Sequence, residues 1–272
     1  MSIDKCYSRL VLMALIGCFL TFISVNSLAK GQVIEMDVSF IFLELNSTDQ
    51  DLGIHSAFDA EAWKKMRIRG PNNRTMVNIT ARSGLGRQGI TQVDFESSEP
   101  VIPDEIDVAT TLGRAPEGLY RFNGKTINRD KLVGEWELSH IMAAAVEPSI
   151  QVNGSDLVCN GNPTSDVTFT WDGVEEAYDD EEVDPDGLLG AGQALTGDNE
   201  VILYTLVVER DEEDDSPKRV FSVDFPGGED NYAFTVPVAV FDDEGVFKWE
   251  IIARTGAHNN TSSEGCITEE DE

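Results

Sequence analysis

VILYTLVVER, at residues 201–210, is the stretch that decides the fold class of this chain, together with VFKWEIIAR at residues 246–254. Both are rich in β-branched and aromatic residues, and both alternate at the two-residue period of a β-strand. Similar runs recur after residue 30, and Gly, Pro, Asn or Asp separates them. The pattern therefore predicts an all-β protein.

Fourteen strands are predicted, together with one short helix at residues 104–112. The predicted strands are 33–45, 53–59, 65–69, 75–81, 91–97, 119–127 and 131–139 in the first half, then 149–153, 166–171, 201–210, 219–225, 232–240, 246–254 and 265–268. Short strands at this spacing are typical of antiparallel β-sandwiches of immunoglobulin-like type. We expect two of them, an immunoglobulin-like domain at residues 30–146 and a second sandwich at residues 147–272.

The charge is distributed unevenly between these halves. Residues 1–146 hold 18 acidic and 15 basic residues, whereas residues 147–272 hold 32 acidic and 5 basic ones, so the net charges are −3 and −27. Such a negative field repels nucleic-acid phosphate and anionic lipid. We therefore expect neither nucleic acid nor a membrane surface as a partner.

The first 29 residues have the pattern of a signal peptide. Lys5 and Arg9 precede an apolar run, and Ser27-Leu28-Ala29 offers a cleavage site. Two alternatives remain open: an uncleaved membrane anchor, and a lipoprotein anchored at Cys18. With cleavage we expect a secreted or periplasmic protein that does not insert into a membrane.

Two cysteines, Cys159 and Cys266, remain after cleavage. An even number of cysteines in an oxidising compartment favours a disulfide. We expect that bond, although two unpaired thiols are the alternative.

The acidic segment at residues 175–200 is predicted to be a long loop. Glu182, Asp184 and Asp186 precede Gly187 as in a calcium-binding loop, but the last position of that motif is Gln193 instead of a bidentate glutamate. A hydrated loop is the expected structure, and loose cation binding is the alternative. The second acidic run, at residues 211–215, is predicted to be a charged hairpin connection.

Residues that could carry catalysis or cofactor binding are few. His55, His140 and His258 have no partner at the spacing of a metal site or a catalytic triad. The glycines of GLGRQG at residues 84–89 match a dinucleotide fingerprint, but a strand follows them, so we expect a loop there. We therefore predict no catalytic residue, no metal site and no cofactor.

Aromatic residues in the second half also carry a resemblance. Trp171, Tyr204, Phe247 and Trp249 are predicted to be core residues within strands, and TGAHNNTSSEG at residues 255–265 is predicted to be a polar loop that could serve recognition. With Trp171 in the second strand, Tyr204 in the third and VFKWEIIA in the sixth, residues 147–269 resemble a fibronectin type III domain. That topology implies that Cys159 and Cys266 lie close together.

The first half resembles, more loosely, secreted bacterial proteins of unknown function that join such a region to a type III domain. The matching phrases are FDAEAW (58–63), GRQGITQVDFES (86–97) and PEGLYRFNGKTI (116–127). The resemblance supplies no activity. We expect a non-catalytic secreted or cell-surface binding, adhesion or accessory protein, whose partner is an extracellular protein or glycan. The alternatives are an exported hydrolase that uses clustered carboxylates and weak calcium binding by the acidic half.

Overall fold

The computed structural model describes residues 31–102, 104–159, 163–183, 189–211, 220–241 and 246–268. Eighteen strands run through these residues, with two short helices, α1 (Ser83–Gln88) and α2 (Val108–Arg114). The strands are β1 (Val33–Glu35), β2 (Val38–Asn46), β3 (Asp51–Arg69), β4 (Thr75–Thr80), β5 (Ile90–Glu96), β6 (Gly118–Thr126), β7 (Lys131–Leu138), β8 (Met142–Ala143), β9 (Ser149–Val152), β10 (Ser155–Asp156), β11 (Val167–Asp172), β12 (Glu176–Val183), β13 (Leu189–Ala194), β14 (Val201–Asp211), β15 (Val220–Pro226), β16 (Asn231–Val236), β17 (Val246–Thr255) and β18 (Asn260–Thr268).

The first half is a sandwich whose two layers share the long strand β3. Residues 51–59 of β3 pair with β2 and β5, whereas residues 65–69 pair with β6 and β4. The register shifts between Asp59 and Trp63, and β7 and β1 extend the second layer beyond β6. Large side chains from both layers fill one core, among them Phe58, Trp63 and Phe122, each fully buried.

The second half is a sandwich of two facing sheets. One contains β10, β9, β11 and β16 in that order, and the other contains β18, β17, β14 and β15. This is the strand arrangement expected for an immunoglobulin-like sandwich. Trp171 of β11 pairs with Tyr232 of β16 and stacks on it, and the Tyr204 ring of β14 closes the same core.

One sheet continues from the first half into the second. Residues 260–262 of β18 pair in parallel with residues 44–46 of β2, so eleven strands belong to a single hydrogen-bonded sheet. Residues Val33–Glu272 form one compact unit. Within it, β8 contributes Met142 to the first hydrophobic core and Ala143 to the second. No helix in the described part of the chain is long and apolar enough to span a membrane.

Several predicted elements differ in extent from the structure. The strands predicted at 53–59 and 65–69 are one strand, because Ala60 and Trp63 are buried between them and no turn residue interrupts the run. The run 33–45 is divided at Met36 and Asp37, where the chain moves from β7 to β3. The strand predicted at 232–240 ends at Val236, because Pro237 begins a 3₁₀ turn.

The predicted helix at 104–112 begins later and includes Val108–Arg114. Asp107 caps it by accepting hydrogen bonds from the Thr110 amide and hydroxyl at 2.8 and 2.7 Å. The loop predicted for GLGRQG also contains a short helix, α1, which the strand β5 follows.

The two predicted loops of the second half are largely strands. The acidic segment 175–200 contains β12 and β13, because the fully buried Ala177 and its neighbour Tyr178 attach β12 to β8. The segment 255–265 turns at residues 256–259 and then forms most of β18, whose polar side chains are buried. The run 212–219 and residues 1–30, with the predicted signal peptide, lie outside the described residues.

Candidate functional site

The turn between β2 and β3 is hydrogen-bonded to strand β18. The amide and hydroxyl of Ser47 both donate to the Ser262 carbonyl, at 2.8 and 2.6 Å. The Thr48 hydroxyl accepts from the Glu264 amide at 3.0 Å. These bonds join residues that are 215 or 216 positions apart in the chain. We call this region, residues 43–48 of the hairpin and residues 259–264 of β18 and its turn, the junction.

Asn259 is a polar residue of the junction, and it is fully buried. Its Oδ1 accepts from the Leu43 amide at 2.9 Å, and its Nδ2 donates to the Ser139 and Ile141 carbonyls at 2.8 and 2.9 Å. The next but one residue, Thr261, donates its hydroxyl to the Ala143 carbonyl. Each of these bonds joins Asn259 or Thr261 to a residue of the first half. The two buried polar residues therefore hold β18, which belongs to the second half, against the first half.

The disulfide lies on the same strand. Cys159 is bonded to Cys266 with 5.7 Å between their Cα atoms, as the sequence predicted. One residue earlier, Gly265 leaves room for the indole of Trp249, since a Cβ there would lie 2.8 Å from its Cζ2. The bond therefore holds β18 to the segment after β10, close to the edge of the second core.

Carboxylates crowd the outer face of the sheet beside the junction. Burial is the main cause that raises the pKa of Glu250 to about 7, and the charges of Glu44, Glu264 and Glu209 act in the same direction. A hydrogen bond from Ser262 opposes them. Glu250 is therefore partly protonated at neutral pH.

A second carboxylate lies at the far end of the junction. Burial and the charges of Glu99 and Asp49 raise the pKa of Asp51 to about 6. Burial also raises the pKa of Glu264. No three acidic, histidine or cysteine side chains among the described residues are arranged to hold a metal ion.

A shallow groove lies on the outer face of the first half, next to β5. Its volume is about 230 Å³, and its lining is Phe42, His55, Ser56, Ala57, Asp94, Phe95 and Glu96. We call it the β5 groove. Phe42 of β2 and His55 of β3 face each other across the register and stack with ring centroids 5.3 Å apart. The aromatic pair forms one wall, and the exposed carboxylates of β5 border the other.

The position of His55 is fixed by Glu99. His55 Nε2 lies 2.8 Å from Glu99 Oε1, within hydrogen-bond distance, and both side chains are partly buried. The Glu99 carboxylate occupies the space over Gly53, where a Cβ would collide with it. A side chain at residue 53 would therefore displace Glu99 from its contact with His55.

The edge of β5 beside this groove carries unpaired backbone groups. Within the described part of the chain, β5 pairs only with β3. The Ser97 amide donates to the Ile54 carbonyl, and N–H groups in an antiparallel ladder alternate in direction. It follows that Gln92, Asp94 and Glu96 direct their N–H and C=O groups away from β3. All three are exposed.

The other histidines have structural surroundings. His140 Nε2 lies 2.8 Å from the Ala115 carbonyl oxygen. His258, at positive φ in the β17–β18 turn, packs against Phe40 and Trp136 with centroids 4.1 and 4.9 Å apart, and burial lowers its pKa. Neither histidine lines the β5 groove.

The remaining predicted residues are placed as follows. Trp171, Tyr204 and Phe247 are buried, and Trp249 is partly buried against the second core. The side chains considered for calcium, Glu182, Asp184, Asp186 and Gln193, lie outside the part that the structure describes. No role was predicted for Asp94 or Glu96. The alternation in TQVDFES nevertheless places Gln92, Asp94 and Glu96 on one face of a strand.

Among known proteins, only solved structures match the chain. No family model and no curated protein matches it. The FN1–FN3 domains of chicken CNTN1 match with a TM-score of 0.29 and 7% identity, covering 88% of this chain and 69% of that one. Trypsin-activated alpha-2-macroglobulin from Escherichia coli matches with a TM-score of 0.26 and 8% identity, covering 86% and 16%. A bacterial ice-binding adhesin matches with a TM-score of 0.25 and 10% identity, covering 89% and 66%.

Proposed function

We propose that this chain is a non-catalytic binding or adhesion module that acts outside the cytoplasm. The observation that carries the proposal is the β5 groove, which lies beside the exposed edge of β5. A shallow groove with an aromatic wall and a few polar groups is suited to holding a ligand on a surface. Localisation outside the cytoplasm is supported by the disulfide, which an oxidising compartment maintains.

The junction supports the same role. A surface that binds a partner under load needs both halves of the chain to move together, and the buried bonds of Asn259 and Thr261 join them. The two-domain division at residues 146 and 147 remains part of this proposal, with the first half carrying the β5 groove and the acidic half supplying charge.

The test is a comparison of binding with turnover. The chain from residue 30 is immobilised and exposed to panels of extracellular proteins, peptides and glycans, and the eluate is analysed for cleavage products. We expect saturable binding that the double substitution Phe42→Ala and Asp94→Asn weakens, with every ligand recovered intact. Ligands recovered as fragments would contradict the proposal.

A carboxylate hydrolase is the second candidate, because Glu250 has a raised pKa beside Glu44. Acid–base hydrolysis uses a pair of carboxyl groups, one of which acts as the acid. For this candidate, turnover would be lost in Glu250→Gln and retained in the exposed control Glu61→Gln. Equal turnover in the two variants, or none in the wild type, would exclude it.

A further inference from the structure

The free edge of β5 differs from the rest of the first sandwich in its side chains. The outward residues Gln92, Asp94 and Glu96 are exposed, and the first of them donates its Nε2 to Asp94 Oδ2 at 3.0 Å. The alternate residues Val93 and Phe95 are only partly buried against the first core. The strand therefore has an acidic face and an apolar face that are both incompletely covered along the same edge.

Exposed strand edges usually carry a lysine, a proline or a bulge that prevents another strand from pairing. The sequence ITQVDFE contains neither lysine nor proline. The one irregularity in its pairing with β3 lies toward residue 90, so residues 92–96 run in regular register. These residues present N–H and C=O groups at the spacing that an added strand requires.

The charge around this edge favours a basic partner. Asp94 and Glu96 border the groove, and Glu99 Oε1 lies 2.8 Å from Nε2 of His55, which lines it. The Phe42 ring lines the same groove, with His55 of β3 between it and Glu96 of β5, and an aromatic face attracts a cation. These carboxylates attract a basic segment and repel an acidic one. The attraction is local, because residues 1–146, which contain β5, carry a net charge of only −3.

We propose that the edge of β5 binds an extended basic peptide segment by strand addition, with a lysine or arginine side chain lying in the β5 groove. Side chains of an added strand alternate between the two faces. Those on the outer face lie beside Asp94 and Glu96, and the intervening ones cover Val93 and Phe95. The segment that this edge selects therefore alternates basic and apolar residues. This inference rests on the proposed binding function and names its partner class.

The probe is a synthetic peptide, Lys-Val-Lys-Val-Lys-Val-Lys. Its binding to the protein in solution is measured by calorimetry. Its control, Lys-Lys-Lys-Lys-Val-Val-Val, has the same composition without the alternation. We expect the alternating peptide to bind about tenfold more tightly, because only it places charge on one face and apolar groups on the other. Both affinities should fall when NaCl is raised from about 50 to about 500 mM.

Two variants of the chain separate charge from backbone pairing. Asp94→Asn with Glu96→Gln is expected to weaken the alternating peptide by about tenfold or more, whereas Glu61→Gln with Glu137→Gln removes two exposed charges elsewhere and leaves its affinity within about twofold. Gln92→Pro removes one outward N–H without changing charge or the ladder to β3, and is expected to weaken binding similarly. Circular dichroism establishes that each variant is folded. If Gln92→Pro does not fold, an alternating peptide with N-methylated valines replaces it, and this peptide should not pair with the edge.

The inference is overturned if both peptides bind equally, or if the Asp94 and Glu96 double variant retains the affinity of the wild type. If neither peptide binds but the chain still retains a ligand intact from the panels, the inference fails and the proposed function stands. Cleavage of the panel ligands would instead remove the proposed function.

Discussion

The side-chain Oδ1 of Asn259 accepts a hydrogen bond at 2.9 Å from the amide of Leu43, which lies 216 residues earlier in the chain. Neither atom is accessible to water. The same side chain holds two further carbonyls, so three backbone groups of the first half and its exit segment depend on one amide.

Replacing that amide should therefore be costly. Asn259→Ala removes three hydrogen bonds to the backbone and leaves the buried Leu43 amide without its partner, and an unsatisfied buried group costs about 1–3 kcal/mol. We expect a loss of about 3 kcal/mol in the free energy of unfolding, measured by urea denaturation. Asn78→Ala, at an exposed position of β4, is the control and should change it by less than about 0.5 kcal/mol. Equal effects of the two substitutions would contradict this role.

Glu250 makes stability depend on pH. Its folded pKa of about 7 lies above the ordinary 4.5, so its contribution to stability is fully present below about pH 4.5 and is lost as the pH rises to 7. Glu250→Gln removes this loss and keeps a group that can bond to Ser262. We expect the variant to be more stable than the wild type by about 1–2 kcal/mol at pH 8, after allowing for screening of a partly exposed group.

The same comparison at pH 4 gives the control, because both forms are then uncharged at this position. The difference in unfolding free energy between wild type and variant should fall toward zero there. A difference that is constant from pH 4 to pH 8 would show that Glu250 does not titrate in this range.

The disulfide closes a long loop, since its cysteines are separated by 107 residues. The chain-entropy model gives about 4–5 kcal/mol for a loop of this length, and measured losses for native bonds are about 2–5 kcal/mol. We expect Cys159→Ser with Cys266→Ser to lower the unfolding free energy by that range. Dithiothreitol should destabilise the wild type to the same level and leave the variant unchanged, and a wild type insensitive to reductant would argue against the bond.

Gly265 is required by the position of Trp249. A methyl group at residue 265 would lie within 2.9 Å of three indole atoms, so the ring must move. We expect Gly265→Ala to cost about 1–3 kcal/mol and to alter tryptophan fluorescence. Gly84→Ala, where no atom lies within 4 Å of the added carbon, should do neither.

The elements that the sequence predicts correctly are those with local signals. Trp171 and Tyr204 lie in strands with clear alternation, and both are in the second core. The bond between Cys159 and Cys266 was predicted because only these two of the four cysteines lie beyond the predicted signal peptide. The buried strand that includes NNTSS, residues 259–263, was not predicted from the sequence. The hydrophobicity of this segment is low, and its burial depends on pairing with β2, which lies more than 200 residues earlier.

The β5 groove could not be predicted for a related reason. It needs Phe42 and His55 from two strands to meet Asp94 from a third, and the register that brings them together is set by pairing. The prediction of a loop at 175–200 was wrong. The many charges of this segment indicate a loop, but the buried Ala177 pairs with β8 and holds the segment in a sheet.

Strand β18 comes near the end of the chain, yet it is the neighbour of β2. During synthesis the second edge of β2 therefore stays without its β18 partner until more than 200 further residues have been made. Until then β2 is an open edge, and a chaperone or an identical nascent chain could occupy it. Formation of the bond between Cys159 and Cys266 would then fasten β18 after both halves have closed on it.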